Sequence, residues 1–196
     1  MKTFDLKGTA RTDLGKKGTR EIRKANNVPC NLYGVKKDEN GKPVATPFTV
    51  TNDSLRNLVY TPHIYAVKLD IDGQSCMAIM KEIQFHPVKD NILHVDFLQI
   101  TEDKPIVMEV PVALDGLAEG VRAGGKLQLQ VRKLKVKATY DKIPEKLIID
   151  VTNLGLGKTI KVGDLAFDGL ELLNAKEAVV CGVKLTRAAR GAAAAK

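Results

Sequence analysis

The 196 residues carry 31 Lys/Arg against 23 Asp/Glu, a formal net charge of +8. Hydrophobic residues make up 44% of the chain but aromatics only 5%, with no Trp, so any core rests on Val, Leu and Ile. No apolar run approaches the roughly 20 residues that cross a bilayer, and the opening MKTFDLKGTARTD lacks the apolar stretch of a secretion signal. These features predict a cytosolic protein of one large or two small domains.

The charge is uneven. Residues 1–37 hold ten Lys/Arg and three Asp/Glu, a net of +7, whereas 38–97 are at −3 and 98–183 are neutral. Residues 184–196 add +4 with no acid. A basic excess concentrated at one end points to a polyanion partner. Cys30, Cys76 and Cys181 are far apart, odd in number and without CxxC spacing. They predict no zinc site and no disulfide framework, only reduced thiols packed as small hydrophobes.

In chain order, FDLKGTAR (4–11) alternates as a strand. Residues 12–18 read as a glycine-punctuated basic loop, with Gly15 and Gly18 flanking Lys16 and Lys17. TREIRKAN (19–26) is a short helix, stopped before Pro29, and VPCNLYG (28–34) is a strand closed by a glycine. Asn40-Gly41 signals a hairpin turn, 47–51 a strand, and 52–62 a helix opened by an Asn/Asp cap. Residues 64–87 read as a hairpin turning at Asp72-Gly73, and ILHVDFLQI (92–100) as a further strand.

The second half reads as strands throughout. KPIVMEVPVAL (104–114) places Pro111 at an edge or bulge. DGLAEGVRAGGKLQL has room for at most one helical turn. In 127–138 the apolar parity switches at Arg132-Lys133, so either a bulge shifts the register or one strand ends and another begins. KLIIDVTNL, KTIKVGDL and AVVCGVKL supply more strands, and an all-β sandwich or roll is expected. The tail TRAARGAAAAK is of low complexity with almost nothing to bury, as a disordered or partly helical segment has.

Three chemistries compete for these residues. LGLGKT (154–159) ends like a phosphate-gripping loop, but the first glycine of that motif would stand at Thr152, and alternating IKV rather than a helix follows. It is a glycine-rich turn. His94 and Asp96 are two apart on a strand and share a face, as a general base and its orienting carboxylate would. No nearby Ser or Cys reads as an activated nucleophile, so the pair suits ligand contact or bracing better than a hydrolase. The third chemistry is RNA binding. Arg11, Lys16, Lys17, Arg20, Arg23 and Lys24 fall within fourteen residues, with Arg20 and Arg23 on one helical face. Guanidinium forks grip phosphate oxygens bidentately. Tyr33 offers stacking or a hydroxyl, and Gln84, His86, His94 and Asp96 carry groups that meet 2′-hydroxyls and base edges.

Together, Arg11–Arg23 read as R-x(3)-G-K-x-G-x-R-x-x-R, followed by VPCNLYG, QFHP and HVDF. With VPVALDG, EGVRAGGKLQ and IPEKLIIDVTNLGLGKTIKVGDL in the second half, the chain resembles the bacterial large-subunit ribosomal protein L-twenty-five family in its long, general stress protein CTC form. The resemblance implies a mainly β (α+β) fold. An N-terminal β-barrel with short helices (1–98) is followed by an all-β domain (99–184) and a basic tail (185–196). It implies 5S ribosomal RNA as partner, neighbouring large-subunit components around the second domain, and a ribosome-bound monomer in the cytoplasm. No enzyme activity, cofactor, metal, membrane or small-molecule substrate is implied. The family's contact positions fall on Arg11, Lys16, Arg20, Arg23, Tyr33, Gln84, His86, His94 and Asp96, and charge adds Lys17. Two departures stand out: Glu21, where a basic residue can occur, and Cys30 in place of the usual alanine. An RNA-binding stress factor acting off the ribosome is the alternative reading.

Overall fold

The computed structural model of the chain describes residues 1–35, 41, 44–101 and 104–186. Asn40 of the expected hairpin turn and the tail from residue 187 lie outside them. The chain divides into two compact units, Met1–Lys104 and Pro105–Lys196.

The first unit runs β1 (Lys2–Ala10), α1 (Lys16–Lys24), β2 (Asn27–Tyr33), β3 (Thr46–Thr51), α2 (Asn52–Val59), β4 (Tyr65–Ile71), β5 (Gln74–Phe85) and β6 (Ile92–Gln99). The strands close into a barrel in the order β1-β3-β2-β6-β5-β4. Seven parallel pairs, Lys2↔Tyr65 to Gly8↔Ile71, join β1 to β4 and shut the ring. A closed sheet leaves no unpaired edge along its length. Period-two alternation sorts the faces: Val67, Leu69 and Ile71 of β4 are buried while Lys68 is exposed. At the centre Phe48 and Phe97 are fully buried, with ring centroids 5.7 Å apart. Gly8 makes room for them, because a Cβ there would stand 2.7 Å from Cδ2 of Phe48. Leu55 and Leu58 of α2 join the same core.

The expected turn at Asp72-Gly73 is present with both residues at positive φ, +49° and +87°, the geometry of a type I′ hairpin. Asp72 then accepts a hydrogen bond from the Ala10 backbone N–H at 3.0 Å. Two local expectations are corrected. The basic "loop" at 16–18 is the first turn of α1, with Gly15 at the N-cap. The cap of α2 is Thr51, whose hydroxyl meets that of Ser54 at 2.7 Å, and Asn52 and Asp53 lie inside the helix.

The second unit contains β7 (Ile106–Asp115), α3 (Glu119–Arg122), β8 (Lys126–Leu129), β9 (Lys133–Ala138), β10 (Leu147–Asp150), β11 (Thr159–Lys161), β12 (Glu171–Leu172) and β13 (Val179–Lys184). They form a four-stranded sheet, β10-β7-β9-β12, and a three-stranded one, β11-β13-β8. The parity switch at Arg132-Lys133 is a strand break, because β8 and β9 belong to different sheets. Pro111 is on a central strand, not an edge. It ends the β9 ladder at Pro111↔Lys133, and the β10 ladder begins at Val112. LGLGKT is a turn, with Gly157 at φ +75°, and Thr159 opens a strand rather than a helix.

Candidate nucleic-acid interface

Helix α1 has unusual electrostatics. Lys16 and Lys17 occupy its first turn, which carries no acid, although the dipole there favours negative charge. An anion at that end relieves the mismatch. Arg23 and Lys24 sit in the last turn, where the dipole favours them. The helix ends at Lys24 with Ala25 as its cap, and Asn26 just beyond takes the left-handed conformation at φ +58° that Asn tolerates.

The arginines divide into braces and exposed cations. Arg11 donates from Nε to the Asp13 carbonyl at 2.6 Å and from Nη2 to the Thr19 hydroxyl at 2.9 Å, folding the 11–15 segment onto α1. Arg23 donates from Nε and Nη2 to the Leu93 carbonyl, at 3.1 and 2.9 Å. That contact holds the end of α1 beside the strand residue that precedes His94. Lys16, Lys17, Arg20 and Lys24 are exposed and have no ion-pair partner among the described residues.

Adjacent to Arg23's anchor, the outer face of β2, β6 and β5 collects the other candidates. Register aligns Asn31 with Asp96 and Asp96 with Glu82, and in the next row His94 with Gln84. Val95 and Phe97 alternate inward, so His94 and Asp96 share the outer face as expected. His94 Nδ1 lies 3.6 Å from Asp96 Oδ1, with the side chains 20% and 25% exposed. Tyr33 flanks the row. Partial burial, then the carboxylates of Asp96 and Glu82, push its phenol pKa up, so it stays a hydroxyl donor.

His86 is placed differently. It follows β5, and its Nδ1 accepts the backbone N–H groups of Val88 and Lys89, both at 3.2 Å. The ring braces the turn into β6, and because Nδ1 accepts, Nε2 is the nitrogen left to donate. Tyr60 supports this turn, with its hydroxyl donating to the Asp90 carbonyl at 3.0 Å and its ring 6.2 Å from Phe85. Sequence reasoning missed Asn31, Glu82 and Tyr60. Parity could have found the first two, since 31 alternates with Tyr33 and 82 with Gln84.

Nothing here assembles a hydrolase. His94 and Asp96 are beyond ordinary hydrogen-bond distance. The cysteine nearest in register, Cys30, points into the core, and burial pushes its thiol pKa up to about 12. A thiol that holds its proton so firmly is no nucleophile.

Comparison with known proteins agrees. Residues 6–97 match the Ribosomal L25p family, and residues 105–187 match the family described as ribosomal protein TL5, C-terminal domain. The chain is 73% identical over 194 residues to large ribosomal subunit protein bL25 of Phocaeicola vulgatus, covering 99% of this chain and 98% of that one. It is 67% identical to the protein of that name from Bacteroides thetaiotaomicron, over 100% of this chain and 98% of the other. For Porphyromonas gingivalis the identity is 60%, over the full length of both. Full-length identity of this order, with both domains matched in order, means that the chain belongs to the bL25 family of ribosomal proteins, in the form that carries a TL5-type C-terminal domain.

Proposed function

We propose that the chain binds 5S ribosomal RNA through its first domain, residues 1–98, as a non-catalytic constituent of the large ribosomal subunit. Lys16, Lys17 and Arg20 neutralise phosphates along one stretch of RNA backbone. Arg11 and Arg23 fix the helix that carries them. Tyr33, Gln84, His94 and Asp96 meet 2′-hydroxyls and base edges across a wide, shallow minor groove, the readable side of an RNA duplex. His86 offers its Nε2–H at the rim. Residues 99–184 form a second domain directed at neighbouring subunit components, and 185–196 a basic tail.

The observation that carries this reading is the Arg23 contact with the Leu93 carbonyl. It sets the phosphate-binding helix against the polar strand face, so that one RNA helix can engage both. The relatives' shared name, large ribosomal subunit protein, favours this reading over a factor acting off the ribosome.

The test is a filter-binding titration against 5S ribosomal RNA with transfer RNA as competitor, at several salt concentrations. Binding that resists the competitor, and weakens on both Arg20→Ala and His94→Ala, is the expected result. Equal competition by transfer RNA, with His94→Ala silent, would reduce the surface to a general polyanion patch.

A further inference from the structure

The three-stranded sheet of the second unit contains a pairing that folding alone does not account for. In the β13–β8 ladder Lys184 stands directly opposite Lys126. Directly opposed residues share a face with their Cβ atoms about 5 Å apart, and like charges so placed work against the pairing. Both side chains are exposed. Three other strand lysines of the unit stand beside acids: Lys137 lies 3.1 Å from Glu171, Lys161 2.9 Å from Glu177, and Lys135 4.0 Å from Glu109. Lys126 and Lys184 have no such partner among the described residues. α3, which leads into β8, adds one acid and one base, Glu119 and Arg122.

The next cross-strand pair on the same face is Gln128↔Gly182, with Thr159 on the far side of Gly182. Gly182 carries no side chain and is buried, with Thr159 Cγ2 2.8 Å from where its Cβ would stand, so the exposed Gln128 and Thr159 are the hydrogen-bonding groups beside the two cations. Basic charge also continues along the chain. After Glu177 no acid occurs, and Lys184 is followed in sequence by Arg187, Arg190 and Lys196. A row of cations without interleaved acids suits a partner with regularly repeated negative charge better than an isolated carboxylate.

We propose that the Lys126–Lys184 face, with Gln128 and Thr159, is a second nucleic-acid contact that takes the phosphate backbone of RNA. It is separate from the 5S reading of the first unit and does not depend on it. The opposed charges that oppose strand pairing in the bare protein are neutralised when phosphates bind.

The test uses the full chain with the first surface silenced by Lys16→Ala, Lys17→Ala and Arg20→Ala together, probed with a mixed-sequence RNA duplex across a salt series. The silenced chain is expected to retain salt-dependent binding. Adding Lys126→Gln and Lys184→Gln is expected to lower the slope of log affinity against log salt by about two, roughly one per phosphate contact. The same pair of substitutions leaves the thermal midpoint unchanged or raised, because it removes a repulsion. An unchanged slope would overturn the proposal. So would loss of binding to a poly-glutamate chain with RNA binding intact, which would assign the face to an acidic protein. Specific 5S binding by the chain carrying only Lys126→Gln and Lys184→Gln reports separately on the first surface.

Discussion

Arg23 separates two roles that look identical in a sequence. If it braces α1, Arg23→Ala removes two N–H donors, at 3.1 and 2.9 Å, from the Leu93 carbonyl. Hydrogen bonds to charged donors contribute about 1.5–3 kcal/mol, but the guanidinium is exposed and water replaces it in part. A stability loss of about 1 kcal/mol is therefore expected, read by urea denaturation. Releasing the end of α1 misplaces Lys16, Lys17 and Arg20 against the strand face. A tenfold loss of 5S affinity corresponds to about 1.4 kcal/mol, and a loss of that order is expected. The salt slope should hardly move, because no phosphate contact has gone, whereas Arg20→Ala should lower it by about one. Arg23→Lys keeps the charge but not the two-pronged grip, so it should resemble Arg23→Ala. A lysine variant indistinguishable from the parent, or an alanine variant that lowers the slope as Arg20→Ala does, would refute the brace.

Four further outcomes follow from the same geometry. Glu82→Gln removes a carboxylate aligned with Asp96; transfer RNA should then bind more tightly, and the preference for 5S RNA in competition should fall. Gly8→Ala drives a Cβ to within 2.7 Å of the Phe48 ring, which should cost about 1–3 kcal/mol of unfolding free energy, as overpacking does. His86→Ala leaves the N–H groups of Val88 and Lys89 without their acceptor. A loss of about 1 kcal/mol is expected by denaturation, with a smaller effect on RNA affinity than His94→Ala. Cys30 makes the fold sensitive to alkali. Burial lifts its pKa from 9.0 to about 12, with a backbone hydrogen bond to Val95 opposing the rise and the Asp96 charge adding to it. Above pH 9 the unfolded chain therefore releases a proton that the folded chain keeps, and stability falls by up to about 1.4 kcal/mol per pH unit until about pH 12. Tyr33 and Cys181, both raised, act in the same direction. Urea midpoints between pH 8.5 and 10.5 should fall less steeply for Cys30→Ala than for the parent.

What could be read from the sequence was local. The Asp72-Gly73 turn, the shared face of His94 and Asp96 and the parity break at Arg132 depend on neighbours within a few residues, and all three are present. The start of α1 was hidden by glycine. Gly18 looks like a loop residue, yet inside the helix it approaches Asp13 so closely that a Cβ would stand 3.0 Å from the Asp13 Cβ. Long-range pairings had no local signature: the parallel β1–β4 closure links residues about sixty apart, and Lys126 meets Lys184 only through β8–β13 register. Nor could braces be told from contacts. Arg11 and Arg23 present the same donors as Arg20, and only the position of Thr19 and Leu93 decides which are already engaged.

The acids on the strand face then acquire a purpose. Asp96 and Glu82 would repel any phosphate laid across β5 and β6, so in the proposed complex that face can meet only the groove side of the RNA, where hydroxyls and exocyclic amines are exposed. Helix α1, with no acid in its first turn and Lys16, Lys17, Arg20 and Lys24 without ion pairs among the described residues, would accept only the backbone side. In that complex, two surfaces with opposite preferences, fixed to each other by Arg23, would admit an RNA helix in one rotational setting and penalise the others. Specificity of this kind needs the repulsive element as much as the attractive one. On the proposed reading it accounts for the two carboxylates on a face that meets a polyanion, and for why neutralising Glu82 should increase indiscriminate binding rather than improve the right complex.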